Sequence, residues 1–361
     1  MAFTGYKIFP GLRTIGVVSP SVRELATTFN LEAINALQAP ADEDLAWADM
    51  CGVTPAVFEG KIPLDFTALD GFEPFDGVRE FKQIDVAAIE AGVNQWQRNL
   101  EWDLRFEGAQ PEIKQIYNIG NFAQSMVNHA RIMKARLAAT VLMQGTPTTN
   151  LAQVYKGNDI PGANKSLFNT GHLANPLDPN SRTFSNYFAA AGKFSETTFA
   201  TMRTNMRTVP SPTMNAETLG LQVTDVIGPS HMEEPFRQVA LALLTVQSLA
   251  VPGPAYVGGA ATNIYSAGLT PWRFWIAPQL DADPYVQANP GDHLWFAVSQ
   301  KLPGARPVEM VGPTKEFMPR LQLFGDGSEM AAMTRKVHLL GDLDAGAAAG
   351  LPHVIARYEE S

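Results

Sequence analysis

The feature that most constrains the fold is a long helical pattern between residues 111 and 144. Pro111 suits the first position of a helix, because the N–H that proline lacks would be unpaired there. Gly145 and Pro147 end the pattern. At roughly 1.5 Å of rise per residue the predicted helix is about 50 Å long, so the other segments must be arranged along it. Its apolar residues recur at helical spacing: Ile113, Ile116, Tyr117, Ala123, Met126, Val127, Ala130, Met133, Leu137, Val141 and Leu142.

This apolar face is predicted to be core. Met126 and Met133 lie near the middle of the pattern, and we select them as packing candidates. A charge placed at either position would be costly if the face is buried. The pattern alone is also compatible with a long core helix in an α/β enzyme.

A strand is predicted immediately before the helix, over residues 99–107. Its apolar residues alternate with charged ones, which is typical of a ribbon with one wet face and one covered face. The apolar face carries Leu100, Trp102, Leu104 and Phe106. Glu101 and Asp103 on the other face could form a catalytic pair of carboxylates, but alternation accounts for both, and a solvated face is predicted.

The segment 1–48 has too little apolar sequence for a core of its own. We therefore interpret it as an arm that lies on another surface, with Phe3, Tyr6 and Phe9 as the residues that need cover. Ordering a terminal segment costs about 1–2 kcal/mol of backbone entropy per residue, so compensating contacts are required. For residues 1–24, which include these aromatic side chains, we expect an adjacent subunit to supply them. A tail without function is the alternative.

The remainder predicts a loop-rich region followed by a compact α+β domain with short elements. The loop-rich region covers 145–192. Helices are predicted at Ser195–Met206 and over 233–245, and strands over 219–227, 272–276, 293–298, 320–324, 336–340 and 353–357, with glycine clusters separating the last three.

The chain shows no recognisable constellation for catalysis, a cofactor or a metal. It lacks a phosphate-binding G-x-x-x-x-G-K-[ST] loop, and Ser230 and His231 are adjacent, which is the wrong geometry for a nucleophile and its base. A calcium loop starting at Asp281 fails because its sixth position is Val286 and its twelfth is Asp292. A single Cys51 excludes an internal disulfide, and the net charge of −9 gives no basic surface for nucleic acid. The most apolar run, 239–251, is too short and polar to span a membrane, so a soluble protein is expected.

The order of these parts resembles the major capsid protein of tailed bacteriophages, the Hong Kong 97-type fold. Locally the chain is similar to the Mu-like phage major head subunit family over roughly residues 95–300. The residues that carry this similarity are Trp96–Phe106, Ser166–His172, Asn175–Leu177, Phe184–Phe188, Leu219–Pro229 and Pro278–Asp283.

The resemblance implies an α+β capsid fold with an N-terminal arm (1–48), an extended E-loop hairpin (49–108), a peripheral domain with its spine helix (109–215), an axial domain (216–335) and a C-terminal return to the peripheral domain (336–361). It implies a subunit without catalytic, cofactor or metal sites. Such subunits form pentamers and hexamers of an icosahedral shell around double-stranded DNA, with a scaffolding protein, a portal and a decoration protein as further partners. The expected location is the virion, after synthesis in the host cytoplasm. An encapsulin-like bacterial compartment shell is the alternative, followed by an α/β enzyme with an unrecognised site.

Overall fold

The computed structural model describes residues 13–15, 20–39, 42–55, 60–65, 86–103, 112–155, 160–212, 217–244, 247–248, 260–261, 273–302, 305–312, 320–324, 327–334 and 336–360. The helices in these ranges are α1 (Pro20–Gln38), α2 (Glu43–Ala46), α3 (Glu112–Gln144), α4 (Glu196–Arg207), α5 (Glu233–Leu244), α6 (Pro284–Ala288) and α7 (Glu329–Thr334).

The strands, in chain order, are β1 (Arg13–Ile15), β2 (Gly52–Pro55), β3 (Gly60–Asp65), β4 (Val86–Ala91), β5 (Asn94–Asp103), β6 (Gln153–Val154), β7 (Lys165–Ser166), β8 (His172–Leu173), β9 (Thr183–Phe184), β10 (Tyr187–Phe188), β11 (Asp225–Gly228), β12 (Gln247–Ser248), β13 (Ala260–Ala261), β14 (Arg273–Ile276), β15 (Leu294–Val298), β16 (Val308–Gly312), β17 (Arg320–Phe324), β18 (Lys336–Ala349) and β19 (Ile355–Glu359). The α+β fold class predicted from the sequence is confirmed.

The long helix α3 has 33 residues and ends where the sequence predicts. Thr149 donates a hydrogen bond from Oγ1 to the carbonyl of Gln144, which satisfies one of the carbonyls left unpaired at the helix end. Gly145 is required next, because a Cβ there would lie 2.8 Å from the Cβ of Leu167. Helix α3 therefore ends where the chain packs closely against the segment that contains Leu167.

The buried face of α3 differs from the predicted one in its second half. Met126 is 5% exposed, but Met133 and Leu137 are only partly buried. The predicted Val141 and Leu142 are buried in the main core, and they are joined there by three fully buried alanines, Ala135, Ala138 and Ala139. Small side chains let a helix approach its neighbours closely, and α3 contacts both β16 and β18 here.

The described part of the N-terminal arm has contacts within its own chain, because α1 packs along α3. That an adjacent subunit covers residues 1–24 stays a prediction. The ring centroids of Phe29 and Phe122 lie 6.5 Å apart, and Arg131 donates to the carbonyl of Ala39 at 2.8 Å. Strand β1 likewise pairs in parallel with β17 of the same chain.

The first sheet has six strands and is built around β18. Its order is β1-β17-β18-β16-β2, with β5 also paired to β18. The predicted strand 320–324 is confirmed as β17, but the strand predicted over 336–340 continues through Gly341 and Gly346, so that β18 has 14 residues. A Cβ on Gly346 would lie 1.8 Å from the carbonyl oxygen of Gly92, so glycine here permits a close backbone approach.

The second sheet has the order β10-β19-β15-β11-β14. Strands β15 and β19 are buried along their whole length, as expected for central strands covered on both faces. The strand predicted over 219–227 is confined to Asp225–Gly228, since Leu219 bonds through its N–H to the carbonyl of Val209 instead. Two apolar clusters flank this sheet, one shared with α3 and the first sheet, the other with α4 and α5.

The strand pairings cut across the domain boundaries expected from the resemblance. Strands β16 and β17 fall within the expected axial domain, yet both pair with β18 in the first sheet. Strand β19 falls within the expected return to the peripheral domain, yet it pairs with β15 in the second sheet. The division between residues 335 and 336 therefore coincides with no sheet boundary.

Candidate assembly surfaces

For most of the predicted packing residues, the side chain lies outside the described part of the structure. Phe3, Tyr6, Phe9 and Leu104 lie outside the described residues, and of Trp102 only the backbone, in β5, is described. Leu100 is half-buried and lies opposite Leu339 of β18, so the apolar face of β5 is the one that faces the core.

Glu101, on the predicted charged face of β5, is exposed and forms an ion pair with Lys336 of β18. The hydrogen bond from Lys336 and its charge lower the pKa of the Glu101 carboxyl. In the ladder His338 lies opposite Glu101, and Lys336 lies opposite Asp103. The described contacts of Glu101 are therefore those of an ordinary strand pair.

Strand β5 is extended and poorly covered. It bonds to β18 over ten residues, and the described residues place no strand on its other edge. Residues 94–97 are exposed, including Trp96 at 38%, which lies opposite Leu343. Beside it, the Arg98 guanidinium lies 5.3 Å from the ring centroid of Phe122 on α3.

The hairpin of β3 and β4 extends from the same region. Its strands pair with each other from Gly60↔Ala91 to Asp65↔Val86, and among the described strands with no other. The outer edges of the hairpin and of β5 are therefore the strand edges that could pair with another chain.

A buried arginine of the second sheet forms hydrogen bonds with two carboxylates. Arg357, 1% exposed, donates to both oxygens of Asp283 at 2.7 and 2.9 Å and from Nε to Glu359 at 2.6 Å. Tyr187 donates to the other oxygen of Glu359 at 2.8 Å. No sequence pattern predicted this cluster, because Asp283 lies far along the chain from Arg357 and Glu359.

A second buried carboxylate, Asp225, accepts hydrogen bonds from Arg273, Trp275 and Gln300. It is fully buried at the end of β11. Arg273 and Trp275 belong to β14, and Gln300 follows β15. Asp225 therefore joins β11, β14 and the end of β15, and all of its described contacts are structural.

The residues considered for catalysis are held apart. Ser230 donates to Asp281 at 2.6 Å, whereas a ring nitrogen of His231 contacts the carbonyl of Asp292 at 2.8 Å. Burial raises the pKa of the Cys51 thiol to about 12, so it stays protonated and unreactive at neutral pH.

Within the described ranges no group of acidic, histidine and cysteine side chains is arranged to hold a metal ion. No helix in those ranges is both long and apolar enough to cross a membrane.

No protein-family model and no curated protein matches the chain. Solved structures do. The chain is similar to the procapsid of bacteriophage JBD30, with 14% identity, a TM-score of 0.49, and coverage of 95% of this chain and 77% of that one. It is similar to the capsid of Ralstonia phage GP4, with 8% identity, a TM-score of 0.46, and coverage of 86% and 87%. It is also similar to the virus-like particle from Pyrococcus furiosus, with 10% identity, a TM-score of 0.41, and coverage of 94% and 100%. At these values the similarities assign neither a family nor an activity to the chain.

Proposed function

We propose that this chain is a self-assembling shell subunit, the major capsid protein of a tailed bacteriophage with the Hong Kong 97-type fold. The observation that carries the proposal is a pair of extended elements, the β3–β4 hairpin and β5, whose outer edges have no strand partner among the described residues. An exposed, long edge strand is a liability in a monomer, because its free N–H and C=O groups attract other chains. In a closed shell, neighbouring subunits cover such edges.

The interior of the chain supports a structural rather than a catalytic role. The buried charged groups Arg357, Asp283 and Asp225 are all hydrogen-bonded, Arg357 to Asp283 and Asp225 to Arg273 and Gln300. These bonds fix the packing of β11, β14, β15 and β19. The net charge of −9 suits a wall that confines DNA without gripping its phosphates.

In its full form the proposal includes pentamers and hexamers in an icosahedral shell, membership of the Mu-like head subunit family, and location in the virion. It also includes a separate scaffolding protein, a portal and a decoration protein as partners. Double-stranded DNA would be enclosed without specific contacts. No cofactor or metal takes part.

The test is assembly of the expressed chain, alone and together with a scaffolding protein. Size-exclusion chromatography followed by negative-stain electron microscopy should reveal closed particles with five- and six-membered rings. A monodisperse monomer under all assembly conditions would refute the proposal. Particles that enclose a cargo enzyme rather than DNA would favour the compartment-shell alternative.

A further inference from the structure

Glu309 occupies an unusual position in the first sheet. It lies in β16, with Gly52 of β2 in parallel register on one side and Ala348 of β18 in antiparallel register on the other. Strand β2 is the end strand of the sheet, and β16 is its only strand partner among the described residues. The β3–β4 hairpin follows β2 in the chain. Glu309 therefore lies where the hairpin segment joins the sheet.

The side chain of Glu309 is largely buried. The residue is 5% exposed, and its neighbours Val308, Met310 and Val311 in β16 are fully buried. No side-chain hydrogen bond reaches the carboxyl from the part of the chain that the structure describes. Burying a charge without such bonds is costly, so the neutral acid is the form that this site accepts.

The carboxyl also lies directly against the backbone of β2. A Cβ on Gly52 would come within 2.5 Å of Oε2 of Glu309 and within 3.0 Å of Cγ of Arg306. The side chains of Glu309 and Arg306 therefore cover Gly52, and a change in the hydration of the carboxyl acts on β2 itself. Glycine is needed here for the close approach of the acid.

The charged and titratable groups around this site come from each element packed against it. Arg306, in the turn before β16, is the charged group that acts on Glu309, and it only partly offsets burial. Asp49 precedes β2 and pairs with Lys134 of α3 at 2.6 Å. Cys51 is influenced by all four of these charged residues and remains a neutral thiol.

Burial raises the pKa of the Glu309 carboxyl from 4.5 to about 7. The paired state of β2 therefore binds more protons than an opened state in which the carboxyl reaches water. Pairing is fully stabilised below about pH 4.5 and loses that stabilisation as the pH rises towards about 7, where the loss levels off.

We propose that Glu309 is a pH-dependent switch: loss of its proton weakens the pairing of β2 with β16 and loosens the attachment of the β3–β4 hairpin. The switch lies within a single subunit, so it does not depend on shell formation. In a shell-forming chain it would control the placement of a segment that contacts neighbouring subunits.

The test is hydrogen–deuterium exchange of the full chain across neutral pH, corrected for the intrinsic exchange rate. From the two pKa values, opening of β2 should increase about tenfold between about pH 6 and about pH 8.5. Strand β15, remote from the site, serves as the internal reference and should not change. Glu309→Gln should abolish the pH dependence of β2, because the amide stays neutral.

A matched control is Glu234→Gln, an exposed glutamate on α5 that bonds to Gln238 and should leave the pH dependence of β2 intact. Glu309→Leu provides a second neutral variant. The proposal is overturned if protection of β2 in the wild type does not change with pH, or if Glu309→Gln retains the wild-type response. Failure of both neutral variants to fold would also overturn it, since a neutral group is what the site is inferred to accept.

Discussion

Replacing Arg357 with methionine removes the cation that lies between two buried carboxylates. Arg357 is 1% exposed, and Asp283 and Glu359 are 0% and 5% exposed. Burial alone lowers the pKa of the guanidinium, but the hydrogen bonds and charges of Asp283 and Glu359 outweigh it and raise that pKa. The group is therefore a permanent charge on which both carboxylates depend.

The expected loss in free energy of unfolding is about 3–5 kcal/mol, the usual cost of breaking a buried ion pair by removing one partner. Methionine fills much of the volume of the arginine stem, so little of this cost comes from a cavity. The guanidinium also lies 5.3 Å from the ring centroid of Phe296, and loss of that cation–π contact adds about 1 kcal/mol.

Denaturant unfolding of the unassembled subunit measures this loss. The matched control is Arg237→Met, which breaks an exposed ion pair with Glu233 one helical turn away and should cost less than about 0.5 kcal/mol. Adding Asp283→Asn and Glu359→Gln to Arg357→Met should restore a large part of the stability, because it removes the unpaired charges. A loss for Arg357→Met no larger than the control, or no recovery in the triple variant, would refute the electrostatic account.

Two further results are expected. Burial lowers the pKa of His172 from 6.5 to about 3 and that of His353 from 6.5 to about 4. At these two residues the folded state therefore binds fewer protons than the unfolded chain. Their contribution to the free energy of unfolding is complete above about pH 6.5 and is lost as the pH falls towards the folded-state pKa values. Glu309 has the opposite dependence, so thermal unfolding should be followed in a Glu309→Gln background, where a stability independent of pH would contradict the assignment. Met126→Asp should abolish soluble expression, because the Met126 side chain is 5% exposed. Met133 is only partly buried, so Met133→Asp should leave some folded protein. Equal solubility of the two variants would show that the buried face of α3 has been assigned wrongly.

The sequence by itself determined the features that depend on neighbouring residues in the chain. The bounds of α3 follow from apolar periodicity and from Gly145, and both are local signals. Ser195 marks the start of α4 for the same reason, since its side chain accepts from the N–H of Thr198. The solvated face of β5 with Glu101 was likewise readable from alternation.

The candidate surfaces were only partly readable from the sequence. Alternation gave the two faces of β5, but the open edge became visible only when β18 was placed against one side of it. The packing of α1 on α3 was missed, since an amphipathic helix does not say which surface receives it. Glu309 carried no signal, because burial of a single acid depends on strands distant in sequence.

Only the tertiary structure decided the features in which contacts between distant segments outweigh the conformational or burial preference of a residue. Glycines usually interrupt strands, yet β18 continues through Gly346 because β18 must approach the backbone at Gly92 closely. Arg357 would ordinarily be exposed, and it is buried only because Asp283, 74 residues away, and Glu359 supply its hydrogen bonds. The physical reason is common to both: the free energy of these contacts depends on segments that only the folded chain brings together.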